Sequence, residues 1–157
     1  MDYTPMGLAN GKYSHKSTYA HELALTVLFE SGWVHFADDP DTYRKLPDAP
    51  KQFMKELPVA WDDTRFVAGY PGREAVLARC KGKTWFLAGV SGRNEQSHLD
   101  LNLKRILGSG QYQLTLISDG PDAQHFSTET KPLIASDALP VSMLRYGGFV
   151  ATLIPKP

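Results

Sequence analysis

The chain has one cysteine, no excess of charge of either sign and no long apolar run, and each absence removes a class of function. Cys80 alone leaves no intramolecular disulfide and no cysteine metal cluster. Seventeen basic and 17 acidic residues cancel, so the composition carries no electrostatic footprint for nucleic acid or an anionic membrane surface. No apolar stretch approaches the roughly 20 residues of a membrane-spanning helix. Met1-Asp2-Tyr3-Thr4-Pro5 lacks the basic and apolar regions of a signal peptide, which is uninformative about location. Gly-x-Gly-x-x-Gly, P-loop and Gly-x-Ser-x-Gly motifs are missing. His15, His21, His35, His98 and His125 are scattered without metal-ligand spacing, so no metal site is expected.

What is present is organised around residues 58–89. Trp61 to Val67 is rich in β-formers and is stopped by Gly69-Tyr70-Pro71-Gly72. Glu74 to Cys80 alternates, with Val76, Ala78 and Cys80 on one face and Leu77 and Arg79 on the other. Lys81-Gly82-Lys83 turns the chain, and Thr84 to Val90 returns. Cys80 reads as a buried, inert thiol among small apolar neighbours. Arg79, Lys81 and Lys83 read as the charges of a solvated hairpin.

Before Pro58 the pattern is α/β. Residues 1–16 form a loop after a strand end. Tyr19 to Glu30 is a helix with Ala20, Leu23, Ala24, Val27 and Leu28 on one face, widened by Leu25 and Phe29. Ser17 or Thr18 can cap it and Gly32 can end it. So wide a stripe expects cover on two sides. Trp33 to Ala37 reads as a short strand, Asp39 as the N-cap of a weak helix opened by Pro40, and Pro50 as the start of another turn.

After Pro58 the pattern is all-β. Leu99, Leu101 and Leu103 alternate in one strand, and Tyr112, Leu114 and Leu116 in another. His125 to Thr130, Leu133 to Met143 and Phe149 to Leu153 supply three more. About seven short strands with Gly and Pro punctuation predict an antiparallel sandwich, and about 100 residues suffice for an independent core. The boundary therefore falls near Pro58, and residues 58–157 are expected to fold without the rest. Residues 1–57 alone are expected to be poorly ordered or self-associating.

The same residues carry a resemblance. Pro58-x-x-Trp61-Asp62-Asp63-Thr64-Arg65, then Gly69-Tyr70-Pro71-Gly72, then Ala78-Arg79-x-x-Gly82-x-x-Trp85, resembles the start of the C-terminal β-domain of family 97 glycoside hydrolases. Met1 to Pro5, Ala20-His21-Glu22-Leu23-Ala24-Leu25 and Phe36-Ala37-Asp38-Asp39-Pro40 are similar to the last part of that family's catalytic barrel, in the same order. The resemblance implies a mainly β fold: a C-terminal antiparallel β-sandwich, residues 58–157, preceded by a short α/β remnant of a TIM-type barrel, residues 1–57. The family's chains are much longer, so this one is expected to be a C-terminal fragment of an exo-α-glycosidase, an α-glucosidase or α-galactosidase. The sandwich would then be a non-catalytic structural or oligomerisation module.

Glycoside hydrolysis needs two carboxyl groups across the scissile bond. By the resemblance these are glutamates beside a calcium ion in inverting members and an aspartate nucleophile in retaining ones, all before the equivalent of Met1. No catalytic residue is therefore assigned, and no cofactor in this chain. Glu22, one turn into a helix, reads as structural. Asp2, Tyr3 and Asp38 would lie on loops after the last two barrel strands, on the active-site face, as substrate-lining groups. The plainer reading of Asp38 is an ordinary loop polar group, and of Asp39 an N-cap. The implied partners are an α-linked oligosaccharide for the parent enzyme, the remainder of its barrel and a second copy in a homo-oligomer, with no nucleic acid and no membrane. A periplasmic or extracellular location would follow if the parent is like the family. The alternative is an independent carbohydrate-binding module in which Trp61, Tyr70 and Trp85 form a sugar platform. That requires two or three coplanar aromatics in one solvent-facing patch.

Overall fold

The computed structural model describes residues 2–9 and 15–156, and of Asp2 the backbone alone. The chain begins as a β-α-β unit. Strand β1 (Asp2–Tyr3) pairs in parallel with β2 (Trp33–Val34), and helix α1 (Tyr19–Leu28) crosses between them. Two short helices follow, α2 (Pro40–Lys45) and α3 (Asp48–Glu56). Then come eight strands: β3 (Asp63–Tyr70), β4 (Glu74–Lys81), β5 (Thr84–Ser91), β6 (Ser97–Asn102), β7 (Gln111–Asp119), β8 (Phe126–Ile134), β9 (Ala138–Met143) and β10 (Gly148–Pro155).

Six of these form one antiparallel sheet in the order β3-β4-β5-β10-β7-β8, and β6 pairs with β9 as a separate ribbon. The last strand is thus central. Phe149, Val150, Ala151 and Leu153 of β10 are all fully buried, as a strand covered on both faces requires. Between sheet and ribbon lies one core, with Val76, Ala78, Leu87, Leu114, Phe149 and Leu153 facing Leu101, Leu139, Val141 and Met143. On the opposite face lies a second. Leu23, Ala24 and Val27 of α1, joined by Met6, Leu8 and Phe53, cover Phe86, Ala88, Ile117 and Val150. The fold is mainly β, with the sandwich built from a six-stranded sheet and a two-stranded ribbon.

Several elements differ from the sequence reading for identifiable reasons. Helix α1 ends at Leu28, not Glu30, and Gly32 is not left-handed; Phe29 leaves the helix in extended conformation while its N–H still reaches Leu25 O. The strand expected over Trp33 to Ala37 pairs regularly only at Trp33 and Val34. His35 and Ala37 still donate to Tyr3 O and Pro5 O, but Pro5 has no N–H to return. Gly69 and Tyr70 belong to β3, so the turn falls at Pro71-Gly72, where Gly72 has φ 78°. Leu133 to Met143 is not one strand: Asp137 turns the chain, its N–H donating to Ile134 O and its carboxylate accepting from Ile134 N. Helix α3 starts at Asp48 instead of Pro50. Cys80 is half-buried against the ribbon-side core, and desolvation raises its thiol pKa above the ordinary value. Arg79 is not part of a solvated hairpin, as its 4% exposure shows.

Candidate functional site

The parallel pair β1–β2 directs two loops to one end of the unit, residues 5–9 and 35–39. A single phenol ties them together: the Tyr43 hydroxyl accepts from Asp38 N (3.0 Å) and donates to Met6 O (3.1 Å). Burial raises the Tyr43 pKa. The Asp38 carboxylate accepts from Leu8 N and from Ala9 N, the latter at 2.9 Å. Met6, fully buried, sits at φ 71°, a left-handed conformation sparsely populated by side-chain-bearing residues. Asp38 thus fixes the first loop's backbone. Asp39 caps α2 through Asp41 N and Thr42 N at 2.8 and 2.9 Å, bonds that hold its carboxyl below the ordinary value.

The other candidates fall in different places. Tyr3 packs its ring on Phe29, just past the end of α1, at 4.7 Å, and burial, with the Glu22 charge, raises its phenol. The Asp2 side chain lies outside the described residues. Glu22 accepts from the Ser17 hydroxyl at 2.7 Å, a structural use. The aromatic trio is not brought together. Trp61 packs edge-on to Phe86 at 5.3 Å on the α1 side of the sheet, whereas Trp85 belongs to the core on the ribbon side. Arg65 lies over the Trp85 ring at 5.1 Å, and Tyr70 stands exposed at the sheet edge. Among the described residues no group of three or more His, Cys, Asp or Glu could hold a metal ion.

Sequence reasoning missed two joints between α1 and the sheet. At the start of α1, Thr18 accepts from His21 N and donates to Asp119 at the end of β7. Asp119 also accepts from Leu144 N at 2.8 Å and Gly148 N at 3.2 Å. Desolvation raises its carboxyl pKa despite these donors. At the end of α1, Arg79 donates to Leu28 O (3.2 Å), Glu30 (2.9 Å) and Thr64 (3.2 Å). Its guanidinium lies 5.8 Å from the Trp61 ring centre. Ser118-Asp119-Gly120-Pro121 looks like a turn, and the Gly120 N–H does donate to His125 O. Nothing local marks Asp119 as a long-range acceptor.

Comparison with known proteins fits this architecture. The family model described as glycosyl-hydrolase 97 C-terminal, oligomerisation, matches residues 60–154. A probable retaining α-galactosidase of Streptomyces bingchenggensis is 38% identical over 152 residues, 96% of this chain and 23% of that protein. A retaining α-galactosidase of Bacteroides thetaiotaomicron is 30% identical, over 95% of this chain and 24% of that protein. The chain thus spans about a quarter of the length of these relatives. A crystal structure of a β-arabinopyranosidase superposes with TM-score 0.75 at 31% identity, over 91% of this chain and 22% of that one. A family 97 enzyme from Pseudoalteromonas sp. strain K8, in complex with acarbose, superposes with TM-score 0.82 over 90% of this chain and 23% of that one, at 24% identity. The chain belongs to glycoside hydrolase family 97, and its β-domain is that family's C-terminal oligomerisation domain.

Proposed function

We propose that this chain works as the C-terminal part of a retaining exo-α-galactosidase, with the β-domain bracing the last β-α-β unit of the catalytic barrel and contributing no catalytic group. The observation that carries this is the second core. Helix α1 of the β-α-β unit and the sheet share one apolar interior, latched at both helix ends by Asp119 and Arg79. A helix so held, by packing and by these hydrogen bonds, positions β1, β2 and the Tyr43–Asp38 loop tie. The apolar residues after α1 support the same reading: Phe29 is 48%, Trp33 69% and Phe36 38% exposed, a surface suited to neighbouring barrel elements.

The relatives' names suggest the substrate class. A β-L-arabinopyranoside has the ring stereochemistry of an α-D-galactopyranoside without the exocyclic hydroxymethyl group. A site for one sugar is therefore compatible with the other, and the proposed substrate is a terminal sugar of this configuration. Retention goes with an aspartate nucleophile. The independent sugar-binding module is less well supported, because Trp61 and Trp85 lie on opposite sides of the sheet.

The test exchanges this chain for the matching C-terminal quarter of the Streptomyces relative and assays chromogenic α-galactoside. The expected result is hydrolysis by the chimera and none by this chain alone. Loop fixation by Tyr43 is read by Tyr43→Phe in the chimera, expected to raise KM or lower kcat with little change in melting temperature. A soluble, folded chimera without activity refutes the proposal, as does turnover by the isolated chain.

A further inference from the structure

The parallel pair β1–β2 has two faces, and α1 covers one of them. Tyr3 packs its ring on Phe29 at 4.7 Å, so it points to the helix side. Val34, its register partner, shares that side, and Pro5, two residues on from Tyr3, is buried. Thr4, Trp33 and His35 alternate onto the opposite face, and all three are exposed. The alternation reaches His35 because the ladder does: His35 N donates to Tyr3 O at 2.8 Å, and Ala37 N to Pro5 O at 3.1 Å. In a (β/α)8 barrel the face away from the helices is the interior, and substrate binds at the carboxyl end of its strands. His35 occupies that end of β2.

Its ring is placed to bond a ligand. Trp33, one layer deeper on the same face, stacks on the imidazole with ring centres 5.6 Å apart and planes 19° apart. Bulky side chains of this kind fill the packed layers of a barrel interior, and the indole fixes the plane of the ring above it. The other four histidines each bond the protein through a ring nitrogen: His15 with Ala9 O, His21 with Gly147 O, His98 with Ser142 and His125 with Asp122. The ring nitrogens of His35 have no such partner among the described residues. A neutral imidazole offers one N–H and one acceptor nitrogen, the complement of sugar hydroxyls that accept and donate. The backbone is held on both sides, by the ladder before His35 and by the Asp38 N bond to Tyr43 after it.

We propose that His35 is a substrate-binding residue whose imidazole hydrogen-bonds a hydroxyl of the terminal galacto-configured sugar, with Trp33 as the residue that positions it. The assignment rests on reading this chain as the C-terminal part of a retaining α-galactosidase, and it names a contact to that enzyme's substrate.

The chimera with the Streptomyces relative tests it, carrying His35→Ala or His35→Phe; the second keeps a ring on Trp33 but has no nitrogen. Both are expected to lower kcat/KM for chromogenic α-galactoside about tenfold or more, with melting temperatures unchanged. On a series of monodeoxy α-galactosides, the loss is expected to shrink to about twofold or less for the sugar that lacks the bonded hydroxyl. Activity retained by His35→Ala overturns the assignment. Activity restored by His35→Phe does the same, because the ring is then a packing element. So does a loss equal across the deoxy series, whatever the melting temperatures. A folded chimera that is inactive before any substitution refutes the functional reading and this assignment with it, whereas an active chimera indifferent to His35 sinks this assignment alone.

Discussion

At the scale of single residues, Arg79 and Asp119 do similar work with different exposure to risk. Arg79 is 5% exposed at its side chain and Glu30 is 63% exposed, so the ion pair itself is worth little in water. The guanidinium contributes through Leu28 O, a carbonyl at the helix end with few other donors. Arg79→Ala is expected to cost about 3 kcal/mol and Glu30→Gln about 1 or less, measured by urea unfolding. Asp119 carries a pH signature. Its folded pKa is raised above 3.8, so the folded state holds a proton that the unfolded state has already released. The stability due to Asp119 is therefore greatest below pH 3.8 and falls as pH rises through its raised pKa. Asp119→Asn is expected to remove that slope from a stability profile. It should also cost roughly 2–3 kcal/mol at neutral pH, because Leu144 N and Gly148 N lose a good acceptor.

The element that decides the arrangement is α1, and its approach to the sheet depends on glycine. A Cβ on Gly148 would stand 2.6 Å from His21 Cα and 3.0 Å from Gly89 O, backbone atoms that cannot swing aside. The His21 ring meets Gly147 O at 3.2 Å, and Thr18 and Tyr19 donate to Tyr146 O and Ala123 O. The first turn of α1 is thus bonded directly to the β-domain. Gly148→Ala is expected to lower stability by about 1–3 kcal/mol by pushing α1 outward. A change in Trp61 fluorescence should accompany it, since Trp61 and Phe86 share the core beneath the helix. Loss of stability without any spectral change would place the strain elsewhere.

On the scale of the whole molecule, the two cores bear differently on a cut at Pro58. The ribbon-side core is drawn entirely from residues after the cut, whereas the other loses Leu23, Ala24, Val27 and Phe53 from above Phe86, Ile117 and Val150. Each of those large side chains forgoes roughly 1.5–3 kcal/mol of burial when uncovered. Residues 58–157 alone are accordingly expected to unfold cooperatively but at a lower midpoint than the full chain, and to bind a hydrophobic dye more strongly. Equal midpoints and equal dye binding would show that α1 contributes nothing to the sheet. The full chain leaves Trp33, Phe36, Phe66 and Tyr70 exposed.

The elements were legible because their causes are local. Residues Ala20, Leu23, Ala24 and Val27 mark one side of a helix by spacing alone, alternation marks β4, and Asp39-Pro40 marks the start of α2. The family motifs around Trp61 and Gly69-Tyr70-Pro71-Gly72 were equally readable. Which face of β4 met α1 was not, because alternation labels two faces without saying what covers either. Arg79 therefore read as solvated although its neighbour on that face is a helix end. A platform of Trp61 and Trp85 stood only as the alternative to core positions because sequence carries no sheet order, and the order put them in separate cores. Asp119 and Thr18 are 101 residues apart, and no spacing rule reaches that far. The sequence by itself determined which segments become helix and strand and to which family they belong. Tertiary structure decided that the last strand is the sheet's centre and that α1 lies across it, since long-range pairing depends on which apolar faces can be buried together.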